Sequence, residues 1–209
     1  MLIITIKQGK EKSLLDRQPW IYASMIERVD GKAHEKMKFG ATVLVRSSSG
    51  KFLARAGWSP KSQIRARVWS FDENEPVDHA LFKRRIKAAV AARASGAKRG
   101  ATPFLLVAGE EDGLPGLRVD WTGGTRGFLI CQFQSAGVDA WKVPIVQALI
   151  AETGCRNVYE VSDELVRKAE GLPVASGALA GDEPSSSVLA AIPVGQQLPV
   201  GLDKGGRRN

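Results

Sequence analysis

The stretch "SPKSQIRARVWSF", residues 59–71, decides how the first third of the chain is read. In a strand, successive side chains point to opposite faces. Ile64, Ala66 and Val68 fall on one face, which reads as a core face, and Gln63, Arg65, Arg67 and Trp69 fall on the other. Two readings fit that second face. The arginines could pair with Asp16, Asp72 or Glu73 on a solvated surface. Alternatively they could face a polyanion, with guanidinium groups on phosphates and the indole as a stacking platform.

The flanking sequence supplies more strands. In "GATVLVRSSSGKFLARAGWSP" (40–60), Val43 and Val45 alternate, "SSSG" turns, and "KFLARAGW" returns antiparallel. "MLIITIK" begins a strand at residue 1, and a short helical turn follows at Ser13–Arg17, ended by Pro19 because the residue before a proline avoids the helical region. A strand through Ile21 or Met25 comes next. Several short strands within about 75 residues predict a compact, barrel-like unit.

"DENEPVD" (72–78) is a charged connector with Asp78 placed to cap a helix. In that helix, "HALFKRRIKAAVAARA", Phe82, Ile86 and Val90 form one apolar stripe, and the polar "SGAKRGATP" (95–103) ends it. A second unit begins near Phe104, with strands in "PFLLVAGE", "GLRVDW", "RGFLICQFQ" and "NVYEVS". "VPIVQALIAETGC" reads as a helix with Pro144 in its first turn and Gly154 just past its end. "DELVRKAEG" reads as a short helix, "SGALAGDEPSSS" (176–187) as loop and "GLDKGGRRN" (201–209) as a disordered tail. The fold class expected is α+β: a barrel-like domain over 1–75, a connecting helix and linker over 76–103, a small α/β sandwich over 104–180, and an irregular tail over 181–209.

Charge is unevenly placed. Residues 1–100 hold 21 Lys and Arg against 9 Asp and Glu, whereas residues 101–209 hold 9 against 13. A basic half predicts an anionic partner. Lipid is the weaker candidate, since that half lacks a strongly amphipathic, aromatic-rich helix at its start. Lys7, Lys10, Lys12, Arg17, Arg55 and Lys61 lie in segments that neighbour the arginine strand and extend its basic surface. The nucleic-acid-contacting set expected is therefore Lys10, Lys12, Arg17, Arg55 and Lys61, together with Arg65, Arg67 and Trp69.

Catalytic chemistry is not legible. Cys131 sits inside the apolar "FLICQF" and reads as a buried thiol, and Cys155 has no CxxC or Cys/His companion. His34 and His79 lie far apart and read as surface residues. "GEEDGLPGLRVD" (109–120) offers carboxylates for acid–base or metal work, but Asp112-Gly113 and Pro115-Gly116 are ordinary turn pairs. "DWTGGTRG" matches neither a dinucleotide loop nor a P-loop and reads as a hairpin loop. No catalytic, cofactor-binding or metal-ligating residue is expected. No apolar run approaches the roughly 18–20 residues of a membrane span, and the N-terminal apolar run is too short for a signal-peptide core, so the expected location is cytoplasmic.

Four separated stretches carry a family resemblance: "KQGKEKSLLDRQPWIYASMIERVDG", "GKFLARAGWSPKSQIRARVWSFDENEPVD", "AGEEDGLPGLRVDW" with "FLICQFQSAGVD", and "YEVSDELVRKAEGL". In order and spacing they resemble bacterial class I ribosomal RNA large-subunit methyltransferases, which methylate cytosine C5. The resemblance spans about residues 3–175. It implies a PUA domain that binds RNA, a central α/β domain, and a C-terminal Rossmann-like domain holding S-adenosylmethionine. The family's V-D-L-x-x-G-Q-K-T-G segment is represented by "VGLDKGGRRN", which keeps Val200, Leu202 and Gly205 but has no Lys-Thr-Gly. The cofactor loop and catalytic cysteine belong beyond that point, and neither Cys131 nor Cys155 matches the catalytic position. Gln18 stands where the family has a His before Pro-Trp.

The resemblance thus implies a PUA-like pseudo-barrel and central domain that bind large-subunit rRNA, with no cofactor in this chain and no activity by itself. The alternatives are an interaction module that docks a separate methyltransferase subunit, or an active enzyme whose site is unrecognised.

Overall fold

The computed structural model describes residues 1–93 and 103–194. The linker expected over 95–102 and the basic tail over 201–209 lie outside the described residues.

The first unit is a six-stranded sheet of β1 (Ile3–Ile6), β2 (Trp20–Tyr22), β3 (Ile26–Asp30), β4 (Thr42–Arg46), β5 (Phe52–Trp58) and β6 (Ile64–Ser70). Its spatial order is β2-β6-β5-β4-β1-β3, with β1 and β4 parallel and the other pairs antiparallel. The two edge strands, β2 and β3, are joined only by the 3-10 turn Ala23–Met25. Three residues span at most roughly 11 Å, so the sheet must curl until its edges nearly meet. The turn ties to both sides: Ala23 N donates to Gln63 O at 3.0 Å, and Lys7 N donates to Met25 O at 2.9 Å. Ile4, Ile6, Val43, Val45, Ala66 and Val68 fill the inside of the curl. Short helices α1 (Lys12–Leu15) and α2 (Ala33–Lys36) interrupt the strands.

Two bulges decide which way β6 points its side chains. Ile21 pairs with Ala66 but Tyr22 pairs with Ile64, so Arg65 is an extra residue. Arg55 pairs with Ser70 but Ala56 pairs with Val68, so Trp69 is extra as well. An extra residue breaks the alternation and re-aims its neighbours. The expected faces therefore hold only in the middle of the strand. Ala66 and Val68 are buried in the first core, while Ile64 is only half-buried and sits outside it.

Helix α3 (His79–Arg93) leads into the second unit. Asp78 Oδ1 accepts from Leu81 N at 3.0 Å, the capping bond expected. Phe82, Ile86 and Val90 are all buried, joined by Leu81 and Ala89. The second sheet has the order β11-β10-β9-β8-β7. It is built from β7 (Phe104–Ala108), β8 (Leu117–Trp121), β9 (Leu129–Phe133), β10 (Val158–Val161) and β11 (Ser176–Ala180). Helices α4 (Ala136–Ala140) and α5 (Lys142–Thr153) form the crossover between the parallel strands β9 and β10. Gly154 ends α5 in the left-handed conformation, φ 69°. One face of β8 and β9, with Leu117, Val119, Leu129, Cys131 and Phe133, packs with α3 and α5 residues into the second core.

Residues 176–187 differ from the loop expected there. Ser176–Ala180 pairs antiparallel with β10, and a short helix α7 (Ser186–Ala190) follows α6 (Glu164–Glu170) in the chain. Backbone hydrogen bonding to an edge strand makes "SGALA" extended despite its weak strand propensity.

Candidate nucleic-acid interface

Trp69 is the first expected site residue that the fold places elsewhere. It is 3% exposed and belongs to the second core, not to an outer surface. Its ring meets Phe82 edge-on at 5.1 Å. It lies so close to α4 that a Cβ on Gly137 would stand 2.7 Å from its Cζ2, which is why that position takes no side chain. The bulge at residue 69 has turned an indole expected to face solvent into a peg between the two units.

Arg67 is the second. Its Nη1 donates to Glu170 Oε1 at 2.9 Å, and only 11% of its side chain is exposed. Glu170 ends α6, a helix capped by Asp163, which accepts from Val166 N at 2.8 Å. The same carboxylate accepts from Ser62 Oγ at 2.6 Å, Ser59 Oγ at 2.8 Å and Ala136 N at 3.3 Å. Four donors from three separate segments meet on one buried anion. A carboxylate so satisfied is stable in a low-dielectric junction.

Arg65 and Arg55 are also tied back to the protein. Arg65 Nη1 donates to the Pro60 carbonyl, and Arg55 Nη2 donates to Glu73 O at 3.0 Å. Both are half-buried. The expected outward face of two arginines and an indole is therefore corrected: Arg65 bonds the Pro60 carbonyl, Arg67 bonds Glu170, and the Trp69 indole is buried.

The remaining expected residues gather elsewhere, around Trp20. Lys10 and Lys12 are exposed and line a depression of about 360 Å³ floored by Trp20 and Tyr22. Arg17 is exposed, with its guanidinium 5.1 Å from the Phe71 ring centroid, and lines a second depression that also includes Trp20. Lys61 is exposed, 5.9 Å from the Phe39 ring centroid, on the rim of a cleft of about 480 Å³ between the units. Trp20 and Tyr22 line that cleft too. None of these four cations forms a salt bridge among the described residues.

Trp20 is the residue that sequence reading missed. It lies on the edge strand β2, directly opposite Arg67 in the register. Its Nε1 donates to Glu110 Oε1 at 3.2 Å, across the junction of the units. The signal was the aromatic pair in "PWIY", which alternation places on one face of a strand.

The second unit carries a buried ionic network that was not legible either. Arg167, 1% exposed, donates from Nη1 to Phe133 O at 2.8 Å and to Asp139 Oδ1 at 2.9 Å. Lys142 Nζ bonds Glu160 Oε2 at 2.8 Å and lies 2.9 Å from Asp139 Oδ1. Each charge there has a partner, as a structural network requires.

Neither cysteine offers a thiolate. Burial, aided by the Glu160 and Asp120 carboxylates, pushes the Cys131 thiol far above its ordinary range. Burial also raises Cys155. No group of three metal-ligating side chains assembles among the described residues, and no helix among them is long and apolar enough to cross a membrane.

The Ribosomal RNA large subunit methyltransferase I of Aliivibrio fischeri is 44% identical over 187 residues, which is 89% of this chain and 46% of that protein. The protein of the same name from Klebsiella pneumoniae is 41% identical over 203 residues, 97% of this chain and 49% of that one. The chain thus spans about half the length of the relatives it matches. Among solved structures, a candidate SAM-dependent methyltransferase from Streptococcus mutans shares the fold with a TM-score of 0.68 at 16% identity, over 88% of this chain and 44% of that one. A candidate methyltransferase complexed with SAH gives a TM-score of 0.67 at 17% identity, with the same coverage. Residues 4–71, the curled sheet that carries Trp20 and its ring of cations, match the family model of a PUA-like domain.

Proposed function

We propose that this chain is the RNA-binding portion of an S-adenosylmethionine-dependent methyltransferase that acts on large-subunit ribosomal RNA in the cytoplasm, at a cytosine C5. Lys10, Lys12, Arg17 and Lys61 hold phosphates around Trp20. The supporting observation is that these four exposed cations line depressions that share one aromatic side chain and form no salt bridge among the described residues, although Asp72, Glu75, Glu110 and Glu111 line the depression that holds Arg17. Similarity over about nine-tenths of the chain to proteins named as rRNA methyltransferases supports the choice of RNA over other polyanions. Residues 1–75 act as the RNA-binding domain, and residues 104–180 brace it through Glu170.

In this reading the methyl-transfer chemistry is supplied from outside these residues. The sequence has no glycine-rich cofactor loop with an acidic ribose partner, the pairing such a site uses. S-adenosylmethionine would supply the methyl group, and this chain would position the RNA.

Two titrations test the proposal. Binding of an rRNA fragment should weaken steeply as salt rises, because each neutralised phosphate releases counterions. Affinity independent of salt, or no RNA binding, would overturn the RNA reading. Calorimetric titration with S-adenosylmethionine should show no heat of binding, and micromolar affinity would overturn the assignment of chemistry to another part.

A further inference from the structure

The cleft between the units has walls of different chemistry. Trp20 and Tyr22 from the edge strand supply aromatic surface, and Leu165, Val166 and Ala169 from α6 supply aliphatic surface. Two amides reach the same space: Gln63 is exposed on the loop before β6, and Gln134 follows β9. Gln134 Nε2 is spent on Gln132 at 3.0 Å, while its carbonyl oxygen accepts no hydrogen bond among the described residues. The floor is the Arg67–Glu170 pair. Four donors surround Glu170, and the other carboxylate lining the cleft, Glu110, accepts from Trp20 Nε1 at 3.2 Å.

We infer that this cleft takes one unpaired nucleobase of the bound RNA, stacked on Trp20 and Tyr22 and read by Gln63 and Gln134. The inference rests on the RNA-binding reading above and adds where a base goes. Its volume of about 480 Å³ falls in the range of small-ligand pockets, which is roughly 300–1,000 Å³. Aromatic walls attract any base through its π-face, and an amide carries both a donor and an acceptor for a base edge. Lys61 on one rim, with Lys10 and Lys12 beyond Trp20, puts phosphate-binding groups on either side of the base. A paired base cannot use this site, because stacking in a duplex covers both of its faces. The bond from Trp20 to Glu110 holds the ring in place before RNA arrives.

The test uses the full chain with two probes, a single-stranded RNA oligonucleotide and a blunt RNA duplex of the same length. Trp20→Ala should weaken single-strand binding by roughly tenfold or more, the scale set by removing one base–aromatic stack. Trp20→Phe should keep most of that affinity, and duplex binding should not change in either variant. Leu165→Glu places a negative charge at the mouth of the cleft on a side chain 77% exposed, so it should reduce single-strand binding without lowering the melting temperature. If Trp20→Ala and Leu165→Glu leave single-strand binding unchanged, or weaken both probes equally, the base pocket is overturned while RNA binding stands. If the unaltered chain binds neither probe, the RNA-binding reading falls and this inference with it.

Discussion

Arg67 and Glu170 stand 103 residues apart in sequence, yet their side chains meet at 2.9 Å in the junction between the PUA-like domain and the second sheet. One buried ion pair therefore links strand β6 of the curled sheet to the helix that walls the cleft. Removing one partner of a buried pair strands the other in low dielectric. Glu170→Ala should lower stability by about 3–5 kcal/mol, and more than Arg67→Met does, since the anion also serves two serines and a backbone N–H. Urea denaturation followed by tryptophan fluorescence checks this, with two transitions expected in the variant if the pair couples the units.

Trp69 should behave as a core residue. Trp69→Ala removes a buried ring and should cost about 3–5 kcal/mol, with RNA affinity unchanged in the folded fraction. Gly137→Ala tests the same packing from the other side, because the new methyl meets the ring at 2.7 Å and should cost about 1–3 kcal/mol by overpacking. Reduced RNA binding at full thermal stability in Trp69→Ala would mean that the ring faces RNA after all.

The stripe on α3 gives a plain check of the second core. Ile86 has no exposed surface. Ile86→Ala should lower unfolding free energy by roughly 2–5 kcal/mol. A change near zero in a denaturant titration would make α3 a solvated connector.

Legibility in the sequence followed the range of the interactions. Local signals were sound: Asp78 caps α3, Pro144 and Gly154 bracket α5, and Val43 and Val45 face the first core. The alternation of β6 was legible only from Ala66 to Val68. Bulges at Arg65 and Trp69 depend on pairing with β2 and β5, which the strand's own residues do not announce. Glu170 and Arg167 were invisible for a related reason. Charged residues three apart on a short helix ordinarily mark a solvated face, and only partners from distant segments make their burial tolerable. Lys10, Lys12, Arg17 and Lys61 are exposed as their charge suggested, and they line depressions that share Trp20, an aromatic side chain that was not singled out.

Cys131 should be inert in the folded chain. Its thiol is fully buried and held protonated at neutral pH by burial and the nearby carboxylates, and reactivity follows the thiolate. Ellman's reagent at pH 8 should label neither cysteine at appreciable rate in native buffer and both in denaturant. Rapid native labelling of Cys131 would show that the second core opens.

Salt separates the basic ring around Trp20 from the buried arginines. Lys10, Lys12, Arg17 and Lys61 are exposed and packed into neither core, so changing them to Gln should leave the melting temperature nearly unaltered. Each phosphate-binding cation removed should flatten the plot of log affinity against log salt by about 0.7 on single-stranded RNA. The effect should be similar on RNAs of different sequence, because binding to phosphates carries no sequence information. Arg65→Gln and Arg67→Gln should do the reverse, lowering stability while barely changing the slope, since their donors bind Pro60 and Glu170. Measuring melting temperature and salt slope on both sets distinguishes the cations that meet RNA from those that hold the fold.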